Sequence, residues 1–212
     1  MSSQPLLEFR ALTFERDDWP LFSDLCGELK AGEILQISGP NGCGKTTLLH
    51  ILATIQAPTT GSLHWQGRDI SRCRQEYLAA MTFVGHQTGL KLSLTPRENL
   101  RWLSQLQPLS RCSSGEALAR IGLAGFEDVP SYTLSAGQLR RAALATLCMT
   151  EAKLWLLDEP LTALDVEGIA DLEALLLEHV AKGGAVVLSS HQPLVNRAVR
   201  TLALDAMAEA AH

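Results

Sequence analysis

The run Gly39-Pro40-Asn41-Gly42-Cys43-Gly44-Lys45-Thr46 constrains this chain more than any other segment. It stands between Ile34–Ser38, which reads as a short strand, and Thr46–Ile55, whose Leu48, Leu49, Ile51, Leu52 and Ile55 recur at helical spacing. The spacing is GxxxxGK[ST]. Glycines let backbone N–H groups turn inward and a helix N-terminus adds its positive end, so strand, loop and helix form a cradle for phosphates. Lys45 supplies a mobile cation, and the Thr46 hydroxyl suits Mg²⁺. The expected nucleotide-binding positions are the loop residues Gly39, Pro40, Asn41, Gly42, Cys43, Gly44, Lys45 and Thr46, with Thr47 following. The Cys43 side chain reads as packing filler rather than a reactive thiol. An ordinary Gly-rich turn is the bland alternative, and the strand-and-helix context weighs against it.

Two further short apolar runs, Leu154–Leu157 and Ala185–Ser189, have the continuous character of strands buried on both faces. Val166–Lys182 between them carries a helical pattern, and this strand–helix–strand order indicates a parallel sheet with crossover helices. Glu8–Thr13 reads as another strand, and Gly61–Gln66 as a shorter one. Residues 88–150 read as a helical subdomain with helices expected at Arg97–Gln107, Gly115–Ile121 and Ala136–Thr150. A length of 212 residues suits one α/β domain. That domain is expected over 1–205, its core formed by about 1–87 and 151–205, with 206–212 as a short tail.

The apolar run Leu154-Trp155-Leu156-Leu157 ends in Asp158-Glu159. Carboxylates at the C-terminal tip of a strand sit at the crevice where α/β proteins hold ligands. Asp158 can hold the Mg²⁺ shell, and Glu159 can polarise a water for in-line attack on a γ-phosphate. Alone, such a strand end is often only a solvated edge. Beside a phosphate loop it reads as the other half of a site. Leu134-Ser135-Ala136-Gly137-Gln138, followed by Arg141, offers Ser135 as a helix N-cap, with free N–H groups that could face an anion. A capping box with no ligand is the plainer reading.

The Leu134–Gln138 segment resembles the LSGGQ signature of ABC ATPases. Three more positions resemble that family's pattern in the right order. Gln87, in Val84-Gly85-His86-Gln87, stands where the family has the glutamine that links Mg²⁺ and the attacking water to the membrane partner. Ala163-Leu164-Asp165 resembles the D-loop at the dimer interface, and His191 after Leu188-Ser189-Ser190 resembles the switch histidine that contacts the γ-phosphate. A lone His or Gln is usually structural; six motifs in order are not. The resemblance implies a P-loop NTPase-type core with a mainly parallel sheet, an antiparallel β subdomain and an inserted helical subdomain. It also implies ATP and Mg²⁺ as ligands, with Thr46, Gln87 and Asp158 on the metal. Catalysis would involve Glu159, His191, Lys45 and Gln87, and in a homodimer Ser135, Ala136, Gly137 and Gln138 would reach the partner copy's nucleotide.

Within that family, Gly122–Pro130, Ala136 in the signature, Ser190-His191-Gln192-Pro193-Leu194 and the compact length resemble the ATPase subunits of the haem exporter in bacterial cytochrome c maturation. That resemblance implies integral permease subunits of the CcmB and CcmC kind, with CcmD and the haem chaperone CcmE downstream, at the cytoplasmic face of the inner membrane. No direct contact with the cargo is expected, so haem rests on resemblance alone. Another transported cargo, or a soluble ABC ATPase acting on ribosomes or DNA ends, remains as an alternative. Soluble relatives commonly carry two cassettes or a long coiled coil, whereas this sequence has one cassette and no sustained heptads. A binding module without catalysis would be favoured only if Lys45, Asp158, Glu159 or His191 were missing.

Composition narrows the partners. A net charge of −5 disfavours nucleic acid, whose phosphates need clustered cations. Apolar stretches such as Leu144–Thr150 fall short of the ~20 residues of a membrane-spanning helix. Met1–Arg10 lacks the basic start and long apolar run of a signal peptide, so a cytoplasmic location is expected. Cys26, Cys43, Cys73, Cys112 and Cys148 form no CxxC pair and read as reduced thiols.

Two surfaces stay open. Gly89–Leu103, with Leu90, Leu92, Leu94 and Trp102 among Lys91, Arg97 and Arg101, is either the docking surface for the membrane subunit or subdomain core. Where many ABC ATPases stack an aromatic ring on adenine, this chain has Arg16, with Phe14 and Trp19 nearby. Arg16 could lay its guanidinium on the base. It could equally be a solvated arginine, with the stacking role at Trp19.

Overall fold

The computed structural model describes residues 4–17, 19–106, 111–191 and 199–204. Gln107, Gln192, Pro193, Leu194 and the 206–212 tail lie outside those residues. The described residues build two sheets. β1 (Leu7–Arg16), β2 (Trp19–Leu29), β4 (Thr60–Trp65) and β5 (Arg68–Asp69) form an antiparallel sheet in the order β2-β1-β4-β5. β6 (Met81–Val84), β7 (Leu154–Leu157), β8 (Ala185–Ser189), β3 (Ile34–Ser38) and β9 (Val199–Ala203) form a sheet in the order β6-β7-β8-β3-β9, and every pairing in it is parallel.

The expected strands at Ile34–Ser38, Leu154–Leu157 and Ala185–Ser189 form with those bounds. Their apolar continuity has a direct cause. Trp155, Leu157, Val186 and Leu188 pack on one side of the sheet into a core shared with the helices. Leu154, Leu156, Ala185 and Val187 pack on the other, with the antiparallel sheet and α1 (Lys45–Leu52). Both faces are covered, so apolar side chains dominate, and the buried polar exceptions Gln36 and Ser189 are hydrogen-bonded.

Helices α2 (Ile70–Ala80), α3 (Pro96–Leu106), α4 (Ser114–Arg120), α5 (Ala136–Leu144), α6 (Thr146–Met149) and α7 (Val166–Ala181) complete the fold. Two expected helices come out shorter. The segment read as Thr46–Ile55 stops at Leu52; Thr54 turns into the left-handed region (φ 55°) and Ile55 is left 61% exposed rather than on the core face. The segment read as Ala136–Thr150 divides at Ala145, where the Thr146 hydroxyl donates to Ala143 O at 2.8 Å and competes with the backbone ladder. Strands β2, β6 and β9 and helix α2 had no clear periodic signal.

Candidate functional site

The phosphate loop folds as its glycines require. Gly39 has φ 151°, and a Cβ there would come 2.4 Å from Leu204 O and 2.6 Å from Cys43 Sγ. Cys43 is buried and fills that space, in keeping with a packing role. Gly44 opens α1 in the left-handed region (φ 99°) with no side-chain cap, which leaves the first N–H groups of the helix without a side-chain acceptor. Lys45 is 7% exposed and folds back on its own loop, donating to Gly39 O at 2.9 Å and Pro40 O at 3.0 Å. A buried ammonium resting on neutral carbonyls is a cation awaiting an anion.

The end of β7 meets that loop. Thr46 Oγ1 donates to Asp158 Oδ1 at 3.2 Å across 112 residues of sequence. Ser189, at the tip of β8, donates to the same Oδ1 at 2.7 Å and accepts the Glu159 N–H at 2.8 Å. Asp158 is 1% exposed, and its buried Oδ2 has no hydrogen-bond partner among the described residues. An orphaned carboxylate oxygen beside a threonine hydroxyl is a hard-oxygen donor set that fits Mg²⁺. Glu159 lies in the left-handed region (φ 48°), which is strained for a residue with a side chain. Its Oε1 is also buried without a hydrogen bond; His191 Nε2 stands 3.3 Å away, within ion-pair reach but not in hydrogen-bond alignment.

Lys45, Thr46, Glu159 and His191 line a cleft of about 450 Å³, together with Asn41, Gly42 and Gly44 of the loop, Thr47, His50, Arg16, Leu21 and His86; Asp158 and Ser189 are not among the lining residues. Gln87 is exposed and is not among the lining residues; its neighbour His86 takes that position. Trp19 does not line the cleft either.

Ser135, Ala136, Gly137 and Gln138 also stay out of it. Ser135 Oγ accepts the Gln138 N–H at 3.2 Å and Gln138 Oε1 accepts the Ser135 N–H at 2.9 Å, so the capping box of the plainer reading is present. Ser135 and Ala136 are exposed. Gly137 backs onto the next motif: a Cβ there would lie 2.6 Å from Ala163 O, and Ala163 itself has φ 65°. Asp165 caps α7, accepting the Gly168 N–H at 2.9 Å, and pairs with Arg141; these contacts hold its carboxyl below the usual range.

Sequence reasoning missed two groups. Ser189 was read only as part of an apolar run. Arg140 is 3% exposed and donates to carbonyls of Gly85, His86, Asp158, Glu159 and Pro160. Burial pulls its pKa below the usual range, while Asp158 and Glu159 push it back up. A signal for it was present: in a helix, Arg140 shares a face with Ala143 and Leu144, a core position for a charge.

A phosphate loop at one strand tip, an Asp-Glu pair at another and an Asp165-capped helix beside a capped Ser-Ala-Gly-Gln loop define an ABC-type ATPase. The ABC transporter family profile matches residues 22–162, and the chain belongs to that family. Two similar relatives are the cytochrome c biogenesis ATP-binding export proteins CcmA of Salmonella typhi and Escherichia coli O157:H7. The first is 49% identical over 94% of this chain and 97% of its own length; the second is 48% identical over 89% and 90%. Among solved structures, a putative ABC transporter ATP-binding protein from Pyrococcus furiosus has the same fold, with a TM-score of 0.80 at 24% identity over 93% of this chain and 96% of its own. An ATP-binding subunit of an ABC transporter matches with a TM-score of 0.78 at 24% identity, over 88% of this chain and 79% of its own.

Proposed function

We propose that this chain is the ATP-hydrolysing subunit of the haem-export or haem-chaperone-release complex of bacterial cytochrome c biogenesis. It acts as a homodimer beneath integral subunits of the CcmB and CcmC kind, at the cytoplasmic face of the inner membrane. Identity near one half over nearly the whole length of the CcmA proteins supports the assignment of pathway. The carrying observation for the chemistry is the meeting of Thr46, Asp158, Ser189 and Glu159 at the phosphate loop.

The geometry supports the following division of labour. Lys45 leaves the Gly39 and Pro40 carbonyls for the β- and γ-phosphates, and the N–H groups at the start of α1 take the remaining charge. Thr46 and Asp158 would hold Mg²⁺, with Gln87 as a further ligand, and the bound metal would supply charge neutralisation at the phosphates. Glu159 orients the attacking water and accepts its proton, and His191, beside it, holds the γ-phosphate. Ser135 and Ala136 are exposed, and the Ser135–Gln138 loop serves the nucleotide of the other copy. In mixed dimers, a Lys45→Ala copy paired with a Ser135→Arg copy should regain activity that neither mutant has alone. No gain from pairing two dimerisation-competent copies rules the composite site out.

The docking surface divides along Gly89–Leu103. Leu90 packs against the core and Leu100 is fully buried, whereas Leu92 is 50% exposed. Lys91 lies 4.0 Å over the Trp102 ring. The experiment is purification of the tagged chain from membranes. Permease-type subunits of cytochrome c assembly should accompany it, and Leu92→Glu should release them without lowering the melting temperature. Permeases of an unrelated transporter in the eluate would overturn the haem assignment.

A further inference from the structure

Helix α5 carries two adjacent arginines with opposite fates. Arg141 reaches the carboxylates of Asp165 and Asp171. Arg140 turns inward, and its guanidinium ends on backbone carbonyls alone in its hydrogen bonds. Nε donates to Pro160 O at 3.3 Å, Nη1 to Gly85 O at 2.7 Å and His86 O at 3.4 Å, and Nη2 to Asp158 O at 2.7 Å and Glu159 O at 2.8 Å. A guanidinium has five N–H donors in a rigid fork. These five contacts use the whole set.

The acceptors come from two segments only, each the continuation of a strand. β6 and β7 are parallel neighbours whose last residues, Val84 and Leu157, are register partners. Just past that pair the strands part, and their carbonyls lose ladder partners. Arg140 fills the gap with one planar cation. Its side chain thereby ties three things together: α5, which opens at Ser135; the segment directly before Gln87; and the peptide units of Asp158, Glu159 and Pro160. Glu159 is held on both sides, its N–H by Ser189 Oγ and its carbonyl by Arg140 and by the Thr162 N–H at 3.2 Å. Its left-handed conformation (φ 48°) needs such a clamp, because strained backbone persists only where surroundings over-determine it.

We infer that Arg140 is a positioning residue for hydrolysis: it sets the direction of the Glu159 carboxylate and locks it to the 85–87 segment and to α5. The inference rests on the reading of Glu159 as the base. It also explains why the residue is arginine. Lysine keeps the charge but, as a compact ammonium with three donors, cannot span the carbonyls that the fork reaches; glutamine has two donors and no charge.

The test uses the full chain with Arg140→Lys, Arg140→Gln and Arg140→Met, each alone and on a Glu159→Gln background, measuring kcat, KM for ATP and melting temperature. Gln and Met should lower kcat by about 10-fold or more while KM stays within about 3-fold, with Lys between them and wild type. On the Glu159→Gln background each should cost less than about 2-fold more, since the group they position is already lost. A purely structural role would lower the melting temperature and leave kcat per folded molecule unchanged. The proposal is overturned if Arg140→Met keeps kcat within about 2-fold of wild type, if its loss adds in full to that of Glu159→Gln, or if all three variants fail to fold. Near-normal turnover by Glu159→Gln with Arg140 intact overturns the base reading and this route with it. An inactive Glu159→Gln beside a fully active Arg140→Met overturns the positioning role alone.

Discussion

The two ends of the parallel sheet bury polar groups for opposite purposes. At the C-terminal ends of β3, β7 and β8 stand Lys45, which donates to Gly39 O, and Thr46, Asp158, Glu159 and Ser189, which are linked by hydrogen bonds. Two carboxylate oxygens there, Asp158 Oδ2 and Glu159 Oε1, are buried without a hydrogen bond. At the N-terminal ends, the His179 ring lies flat on Trp155 with centroids 3.7 Å apart, and His179 Nε2 meets Lys153 O at 3.2 Å. Burial holds that imidazole down at about 4, so it is neutral at pH 7. The group left open at this end, Trp155 Nε1, is a neutral donor. An anionic acceptor left open is costly unless a cation or a water is due, whereas a neutral stacked ring is scaffold. The difference separates the reacting end from the supporting end without reference to any motif.

The sharpest way to break this comparison is Glu159→Gln. It keeps the shape and removes the proposed base, so hydrolysis should fall by about 10² or more while ATP binding persists and holds the proposed dimer closed. Turnover near the wild-type rate would move the base elsewhere, with His191 the first candidate. Ser189→Ala should have the next largest effect, about 10-fold on kcat. It strips one donor from Asp158 and leaves the Glu159 N–H buried and unpaired, a loss of about 1–3 kcal/mol. Steady-state kinetics with thermal melting distinguish this from unfolding.

The supporting end predicts a stability effect instead. The His179 imidazole has its folded pKa depressed from 6.5 to about 4, so the unfolded chain binds the proton more readily. Its contribution is present above about pH 6.5 and is lost as pH falls toward about 4, amounting to about 3 kcal/mol at most. His179→Phe keeps a ring against Trp155 and removes the titration. Urea midpoints at pH 7.5 and 5 should therefore differ less than in wild type, with kcat at pH 7.5 unchanged. A large fall in kcat would erase the distinction between the two ends.

How much of this was legible in the sequence depends on whether a residue answers to local pattern or to a distant partner. β7 and β8 were legible because both faces are buried, and the phosphate loop because its backbone conformation demands its glycines. β2 was not: its pairing with β1 shifts register between Phe9 and Leu12, between Leu12 and Phe14, and between Phe14 and Glu15, which breaks simple alternation. α2 is interrupted at Cys73 (φ −137°), and β9 is only partly buried. Thr46, Asp158 and Glu159 could be named from motifs, but Ser189 and Arg140 owe their roles to contacts across 18 to 55 residues. Gln87 shows the converse, a motif position that lies outside the cleft while its neighbour lines it.

The base side of the cleft is where the comparison can be sharpened by the smallest effect. Arg16 and Trp19 are register partners at the turn end of the β1–β2 hairpin, yet only Arg16 lines the cleft. Trp19 is 65% exposed, and the Phe14 ring is engaged with Phe22 at 6.4 Å between centroids. Of the three side chains once open for adenine, the geometry therefore favours the guanidinium, which can stack on the base as a planar cation and gain ~0.5–2 kcal/mol. Unlike Lys45 or Asp158, Arg16 is exposed and tethered only by a hairpin, so its contribution should be a few-fold rather than decisive. Arg16→Ala should weaken ATP binding by roughly 3- to 30-fold, and Arg16→Tyr should restore most of it. Because the contact reads a π-face and not hydrogen-bonding edges, GTP should suffer equally from Arg16→Ala. Equilibrium titrations with both nucleotides check this, alongside Trp19→Ala, which should bind like wild type. If Trp19→Ala is impaired while Arg16→Ala is not, the hairpin rearranges to bring the indole over the base, and the arginine is a surface charge.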